Sequence, residues 1–404
     1  MKYFVRIALH QLAACAVLIP VLIAPQHLNA QNTSETPPVP ELLGEEPTPA
    51  PTATPVPIPT LSPTLLRNFK VAPLKELSGR VAFTAKIKGY NRILVLDLDS
   101  SKVWPLIDGP GNNSYPDWSP DGKKLVFVSD RFGDRDLFLA DWEGANQQQL
   151  TDNDQNDDNP DWSPDGKSIV YYSETGTGSN PDSNIFMINP DSHEPKQLTH
   201  FKGRNTTPRI SPDGRYIAYS TNRFWPGWDV CIWDLILKQE KCVLKGAISY
   251  CRPTWFQNGT KMFYSAGMLK DVDIGLLTVK SGQRRGSISG LTGREYDVTV
   301  GPKKRYIIFA AEEDRDGIFN LYALRLKDGK IKRILSSNYS TRFPSWSAVT
   351  TIELEAEKLK ALEAAGITPL PSPTPEPSAE DIEAGALILQ ELEIDPSELK
   401  GAKK

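Results

Sequence analysis

Pro116-Asp117-Trp118-Ser119-Pro120-Asp121-Gly122 is repeated without change at residues 160–166. Altered copies follow at residues 208–214 and 253–259, and a shortened one ends the series at residues 343–347. The motif prolines are residues 116, 160, 208, 253 and 344, so successive intervals are 44, 48, 45 and 91. The last interval equals two periods. We therefore predict a hidden copy at residues 296–302, with Val298 in the tryptophan position.

The motif predicts a strand followed by a tight turn. Asp117-Trp118-Ser119 favours an extended strand, and Ser119-Pro120-Asp121-Gly122 is typical of a type I turn. Three further short apolar or polar runs complete each period, for example residues 125–129, 136–141 and 148–151. A period in the mid-forties made of four short strands is typical of a propeller blade, which buries both faces of its sheet against neighbouring blades.

The first blade has no first strand of its own. Residues 80–85 align with a second strand, because Phe83 lies 44 residues before Phe127. Pro344-Ser345-Trp346-Ser347 supplies the missing strand from the other end of the repeats. The sequence therefore predicts an all-β fold, a six-bladed β-propeller over residues 78–347, closed by pairing of its first and last strands. We interpret the repeated tryptophans as packing between blades.

At these residues the chain resembles the TolB-type, WD-repeat-like propeller family. That family's repeat has Pro-x-Trp-Ser-Pro-Asp-Gly-Lys, a Ser-x-Arg-x-Gly loop and a Leu-Thr ending, which Ser129 to Gly133 and Leu150-Thr151 match. The resemblance implies the fold. It implies no activity, since similar blades occur in TolB, in surface proteins and beside the catalytic domain of prolyl-oligopeptidase-like enzymes. A proline-rich stretch stands where TolB has an amino-terminal α/β domain.

The two ends of the chain differ from the repeats in composition. Residues 1–30 carry Lys2 and Arg6 before an apolar stretch, which is typical of an export signal or, alternatively, a membrane anchor. Residues 31–77 are rich in proline and threonine and are expected to form a disordered linker. Residues 348–404 form a tail with a second proline-rich stretch between two Glu/Ala/Leu-rich runs, near 351–365 and 379–393, that could form short helices.

The cysteine content and the net charge limit the cellular compartments and the classes of partner that fit this chain. Cys231 and Cys242 fall on the third and fourth strands of blade four, where a hairpin can place them opposite each other for a disulfide, or leave them as free buried thiols. We expect an extracytoplasmic location, either periplasmic or at the cell surface, with the amino-terminal segment as the contact to the membrane if it is retained. A net charge of −4 disfavours nucleic acid as a partner.

Catalytic chemistry finds little support in the sequence. The Gly-x-Ser-x-Gly motif of serine hydrolases is absent, and His193 and His200, the two histidines beyond residue 30, are interpreted as surface residues. The acidic run Asp152 to Asn159 is the best candidate for a cation, and calcium is the ion it would hold; otherwise no cofactor is expected. A hydrolase or lyase using Asp157, Asp158 and Arg252 is the weakest of the alternatives considered.

The strand order predicts the contact face. Loops from fourth to first strands and from second to third strands share the channel-mouth face, while the Ser-Pro-Asp-Gly turns share the opposite, turn face. We expect a non-enzymatic scaffold that binds a protein or peptide, with a carbohydrate- or cell-wall-binding module as the alternative. Arginine and aromatic side chains dominate such interfaces. The candidate contact residues are Tyr115, Arg131, Phe132, Asp157, Asp158, Arg223, Trp225, Trp228, Arg252, Tyr296 and Arg342.

Overall fold

Four-stranded antiparallel sheets repeat around the ring in the computed structural model. The structure describes residues 63–72, 74–174, 181–224, 226–256, 258–268, 271–313 and 316–365. All of them belong to one compact unit, Ala53–Lys404. The signal or anchor predicted for residues 1–30, most of the linker and the second Glu/Ala/Leu-rich run lie outside the described residues.

The elements of the first half, in chain order, are α1 (Pro63–Leu66), β1 (Lys70–Val71), β2 (Arg80–Ile87), β3 (Tyr90–Asp97), β4 (Lys102–Ile107), β5 (Asn113–Trp118), β6 (Lys124–Ser129), β7 (Asp136–Asp141), β8 (Gln148–Gln149), β9 (Asp157–Trp162), β10 (Ile169–Glu174), β11 (Ser183–Ile188) and β12 (Pro195–Gln197). The second half contains β13 (Asn205–Ile210), β14 (Tyr216–Thr221), β15 (Asp229–Asp234), β16 (Gln239–Leu244), β17 (Ser249–Trp255), β18 (Lys261–Met268), β19 (Asp271–Thr278), β20 (Gln283–Arg285), β21 (Arg294–Val300), β22 (Tyr306–Glu312), β23 (Asn320–Arg325), β24 (Ile331–Ser336), β25 (Thr341–Ser347) and α2 (Thr351–Ala364).

These strands form six blades, as predicted. Blade 1 has the strand order β25-β2-β3-β4, and blades 2 to 6 take the following strands four at a time. A single parallel bridge from β19 to β21 links the sheets of blades 5 and 6. The predicted closure is confirmed, because β25 pairs with β2 in a register that places Trp346 opposite Val81.

The repeated turn is held by its own side chains. In blade 2 the Gly122 N–H donates to the Ser119 carbonyl (2.8 Å), and Gly122 has φ +67°. The Ser119 hydroxyl donates to Asp121 (2.6 Å) and accepts from the Lys124 N–H (2.9 Å). Serine, aspartate and glycine at these motif positions therefore stabilise the turn itself.

The first aspartate of the motif joins neighbouring blades. The Asp117 carboxylate accepts from the Trp162 N–H of the next blade (2.9 Å), and Asp161 likewise accepts from the Ile210 N–H (2.7 Å). Ser345 and Thr299 hydroxyls accept the corresponding bonds from Trp118 and Trp346. These side chains satisfy an N–H that the inner edge of each sheet would otherwise leave unpaired.

The motif tryptophans pack between blades, as predicted. Trp118 lies in a cluster with Ile93 and Val95 of blade 1, and Trp162 packs with Val126 and Leu137 of blade 2. The assignment of Val298 was wrong by two residues. Gly301 makes the turn bonds that Ser119 makes in blade 2, so Val300 has the tryptophan position and Val298 the proline position. Blade lengths vary by a few residues, and spacing alone could not determine this register.

The folded region begins earlier than predicted. Residues 63–72 and 74–77, assigned to the linker, pack against blade 6: β1 pairs with β24 as a fifth strand. Phe69 and Leu77 are buried, and the Phe69 ring contacts Phe83 (6.1 Å between centroids) and Tyr339 (5.8 Å). The predicted boundary between linker and propeller at residue 77 was therefore wrong. The prolines of this segment indicated a linker, whereas Phe69 and Leu77 are the residues that attach it to the fold.

The first Glu/Ala/Leu-rich run of the tail forms α2. Thr350 caps it reciprocally with Glu353, and Leu354 is its buried residue. The helix lies on the turn face, where Glu357 and Lys358 form ion pairs with Lys123 (2.5 Å) and Glu143 (2.7 Å) of blade 2. No described helix is long and apolar enough to cross a lipid bilayer.

Cys231 and Cys242 lie opposite each other on β15 and β16 and are joined in a disulfide. Of the described cysteines, Cys251 is the one with a free thiol. The bond crosses adjacent strands of blade 4 and closes a loop with a sequence separation of 11 residues.

Replacing Phe69 by alanine tests whether the segment before residue 78 is part of the fold. We expect Phe69→Ala to lower the free energy of unfolding by about 2–4 kcal/mol, because a buried ring is lost and a cavity is left. Urea denaturation measures this loss. Arg67→Ala, on an exposed neighbour, should change it by less than about 0.5 kcal/mol. Equal stability of both variants would mean that Phe69 is not packed.

The disulfide can be tested by labelling thiols under denaturing conditions without reductant. We expect alkylation of Cys251 and protection of Cys231 and Cys242, read out by peptide mass spectrometry. The double variant Cys231→Ser/Cys242→Ser should lose about 2–3 kcal/mol of stability, since the unfolded chain is no longer constrained. Labelling of all three cysteines would contradict the bond.

Candidate functional site: the channel mouth

Six residues with left-handed backbone surround the central channel. They are at the same position of each innermost strand, with φ between 50° and 60°: Tyr115, Asn159, Thr207, Arg252, Asp297 and Phe343. Each lies at a break in register between the first and second strands of its blade, which is a β-bulge. Proline follows in five copies. The innermost strand is an edge of the sheet, so proline, which lacks an N–H, can occur there without removing a hydrogen bond between strands.

The bulges direct their side chains into the channel, and two of them, Arg252 and Asp297, form an ionic cluster with the neighbouring Arg342. The Asp297 carboxylate lies between two guanidinium groups, 2.5 Å from Arg252 Nη1 and 2.5 Å from Arg342 Nε. Asp297 also accepts a bond from the Phe343 N–H (3.4 Å). Two arginines and one aspartate leave this cluster with one net positive charge.

Aromatic rings surround the ionic cluster. The rings of Tyr115 and Phe343 are 3.9 Å apart between centroids. The Arg342 guanidinium lies 4.8 Å from the Tyr296 ring and 4.3 Å from the Phe319 ring. Such contacts compensate a guanidinium that is partly removed from water. The plug formed by Tyr115, Arg252, Asp297, Arg342 and Phe343 thus combines charge pairing with ring packing.

The protonation states in the plug follow from burial and charge. Burial acts to raise the pKa of Asp297, but the two arginines outweigh it and hold that pKa below its ordinary value. Burial, with the nearby Asp158 carboxylate, raises the pKa of Tyr115 to about 12. At neutral pH the plug therefore contains ionised Asp297 and a neutral phenol.

Little free space remains in the channel behind the plug. The cavity that the bulge residues line holds about 30 Å³ for water-sized molecules, which is room for one or two waters. Deeper in it Asp117 and Asp161 lie beside Arg209, and burial raises the pKa of Asp161 to about 7. This cavity is therefore too small for a ligand larger than water unless its side chains move.

A second ionic group lies beside Tyr115 of the plug. Asp158 pairs with Arg135 (3.0 Å), and Glu174 lies between Arg135 (3.5 Å) and Arg204 (3.6 Å). Asp158 is buried, and burial raises its pKa although Arg135 opposes the shift.

Asp157 is separated from this group because successive strand residues point to opposite faces. Its carboxylate accepts from the Asn153 side chain (2.9 Å) instead. Asp157 and Asp158, which the hydrolase or lyase alternative places in one site, therefore have different partners.

The two predicted rim arginines are held by polar and aromatic partners. Arg131 donates to Asn113 (3.1 Å) and Gln147 (2.8 Å), and its guanidinium lies 4.4 Å from the Phe138 ring. Arg223 pairs with Glu240 and lies 3.8 Å from the Phe201 ring. Phe132 is exposed and Trp228 half-buried; Trp225 lies outside the described residues.

Exposed apolar side chains collect on the channel-mouth face. Tyr90, Phe132, Phe224 and Met268 are exposed at the second-to-third-strand connections of four blades, and Ile248 is exposed in the loop between blades 4 and 5. Other exposed apolar residues lie on the turn face, in the blade 4 turn (Ile236 and Leu237) and on α2 (Ile352 and Leu359).

The acidic run shows no gathered set of carboxylates. Among the described residues, the His, Cys, Asp or Glu side chains close enough to share one ion are Cys231, Glu240 and Cys242, of which the cysteines are disulfide-bonded. Calcium binding by the run Asp152 to Asn159 stays a prediction. His193 and His200 are exposed, as expected.

Of the candidate residues, the structure brings Arg252, Tyr296 and Arg342 together, and places Asp158 next to Tyr115. Sequence reasoning missed Asp297, which holds both arginines. The position before the motif proline could have identified it, since Arg252 and Phe343 occupy the same position in their copies. The shift of two residues in reading this copy concealed the match.

Six blades around a plugged channel define the chain as a β-propeller whose accessible chemistry lies on the loop faces. Residues 76–180 match the family model described as TolB beta propeller domain. Comparison with curated protein sequences gave no match.

The fold is similar to solved structures of diverse function. TolB from Acinetobacter baumannii aligns with a TM-score of 0.58 and 20% identity over 67% of this chain and 66% of that one. Hydrazine synthase from Kuenenia stuttgartiensis aligns with a TM-score of 0.58 and 13% identity, over 66% and 46% of the two chains. A chain of a nidogen/laminin complex gives 0.51 and 10% identity, over 66% and 98%. At these identities the likeness concerns the fold alone.

Asp297→Asn tests the plug. The change keeps the side-chain size but leaves Arg252 and Arg342 without their anion, so we expect a loss of about 2–4 kcal/mol at pH 7. Because the folded carboxylate has a lowered pKa, its stabilisation is complete above about pH 4 and disappears as the pH falls through the folded-state value. The stability difference between native protein and variant should therefore shrink in acid.

Urea denaturation from pH 7 to pH 3 measures this difference, and Asp191→Asn, at an exposed site, serves as the control. A variant as stable as the native protein at pH 7 would show that Asp297 does not neutralise the arginines.

Proposed function

We propose that this protein is an exported, non-enzymatic propeller that binds a protein or peptide partner through its channel-mouth face. The observation that carries the proposal is the exposure of Tyr90, Phe132, Phe224, Ile248 and Met268 on that face. Apolar and aromatic side chains at the centre of an interface supply most of its binding free energy.

Cations beside the rings support a partner with acidic character. Lys245 Nζ lies 4.1 Å from the Phe224 ring, and the buried Arg92 guanidinium, which also pairs with Asp108 (3.0 Å), lies 5.1 Å from the Tyr90 ring. With the net positive charge of the plug, these groups place cations next to apolar surface on the same face. A peptide with carboxylates next to apolar residues fits this combination.

The absence of catalytic function is supported by the geometry of the channel. Its space holds one or two waters, and its best carboxylate candidates, Asp157 and Asp158, point to opposite sides of β9. Reaction of a small molecule inside the channel would need the plug to move.

Export is supported by the disulfide between Cys231 and Cys242, since such bonds persist in oxidising compartments. The cationic and apolar start of the chain, Lys2 to Ala24, is consistent with this. We place the protein outside the cytoplasm.

Replacing two exposed rings tests the contact face. Phe132→Ser/Phe224→Ser should weaken partner binding at least about tenfold, because two apolar anchors are lost while the core is unchanged. The matched control is Ile236→Ser/Leu237→Ser, which removes exposed apolar side chains from the opposite face. Crosslinking of each variant in envelope extracts, with quantitative mass spectrometry, measures the captured proteins.

A partner captured by native protein and control but lost by the double phenylalanine variant supports the proposal. Equal capture by all three proteins contradicts this face. A glycan array probed with the same three proteins tests the alternative: binding that depends on Phe132 and Phe224 would favour a carbohydrate-binding module.

A further inference from the structure

An open groove lies between blades 5 and 6 on the turn face. Its volume is about 450 Å³, and partly exposed core residues such as Phe256, Leu276 and Leu326 form its floor.

Cations surround this apolar floor. Lys261, Arg285, Lys304 and Lys327 line the groove and are exposed. Within the described part of the chain none of the four has an ion-pair partner, and the one acid in the groove, Asp328, is bound by Arg325 (2.8 Å). The groove therefore favours an occupant that is apolar on one side and carries several carboxylates.

The equivalent groove between blades 1 and 2 shows how this fold covers such a site. There α2 lies on blade 2 with Leu354 buried, and Lys358 pairs with Glu143, the second residue after β7. The second residue after β23 in blade 6 is Lys327. The charge at this position is reversed, so a helix that covers the blade 6 groove should present an acid there.

The chain contains a segment with that chemistry. Residues 379–393 carry five carboxylates and no lysine or arginine, and Ile382, Ala386, Leu389 and Leu392 recur at helical spacing. The segment lies outside the described residues. The 13 residues between Ala365, at the end of α2, and Ala379 can extend about 45 Å, which is comparable with the diameter of a domain of this size.

We propose that the groove between blades 5 and 6 binds residues 379–393 of the same chain as an acidic amphipathic helix. Its apolar stripe covers Phe256, Leu276 and Leu326, and its carboxylates pair with the surrounding cations. This is the helix-in-groove mode of recognition, used within one chain. The turn face would then be closed at two grooves by two helices of one tail, leaving the channel-mouth face for a partner.

Hydrogen–deuterium exchange of the full chain tests the proposal. Amides of residues 382–392 should exchange at least about tenfold more slowly than in a synthetic peptide of residues 378–395. Lys304→Glu/Lys327→Glu should abolish this protection, and adding Glu391→Lys/Glu393→Lys to it should restore protection. Lys167→Glu/Lys196→Glu, which changes the net charge equally on blade 3, is the control and should leave protection unchanged.

Exchange in β22 reports whether each variant is folded. Lack of protection in the native chain, or protection that survives Lys304→Glu/Lys327→Glu with β22 intact, overturns the proposal. Measurement at protein concentrations differing about a hundredfold distinguishes the source of the helix. Protection that is lost on dilution would show that a second copy supplies it, which also overturns binding within one chain.

Discussion

The pairing of β25 with β2 is the constraint on which the rest of the molecule depends. A blade buries both faces only against neighbours, so an open series of six would expose a sheet face at each end. The closing strand is bonded on both sides: Trp346 lies opposite Val81, and the Ser345 hydroxyl accepts from the Trp118 N–H and donates to Asp117 (2.8 Å). One strand thus completes blade 1 and attaches it to blade 2.

Closure also determines where binding can occur. Six innermost strands converge on one axis, and the bulge in each directs a side chain toward it. Because Asp297 finds Arg252 and Arg342 at that point, the channel is filled with paired charges and rings and keeps space for one or two waters. Recognition is therefore moved outward to the connecting loops, where Phe132 and Phe224 are exposed. Left-handed non-glycine residues each cost about 1–3 kcal/mol, which the surrounding ring must offset.

The two faces differ in how they are built, and this difference separates the roles we propose for them. Short turns stabilised by their own serine and aspartate side chains form one face, and α2 covers part of it. The other face consists of loops of variable length with exposed rings beside cations. A short turn of fixed geometry requires particular residues at particular positions. Loops without such a turn tolerate changes of sequence and can therefore evolve binding specificity.

The sequence by itself determined the strand order, the number of blades, the closing strand and the two faces, because these follow from local turn chemistry repeated at one period. It identified Arg252 and Arg342 as mouth residues for the same reason. Only the tertiary structure decided that Asp297 joins them and that Phe69 belongs to the fold. Those outcomes depend on which side chains, tens of residues apart, compete for one buried position. The local sequence pattern cannot predict which of these side chains are buried together, because each residue fits its own strand or linker equally well before the ring closes.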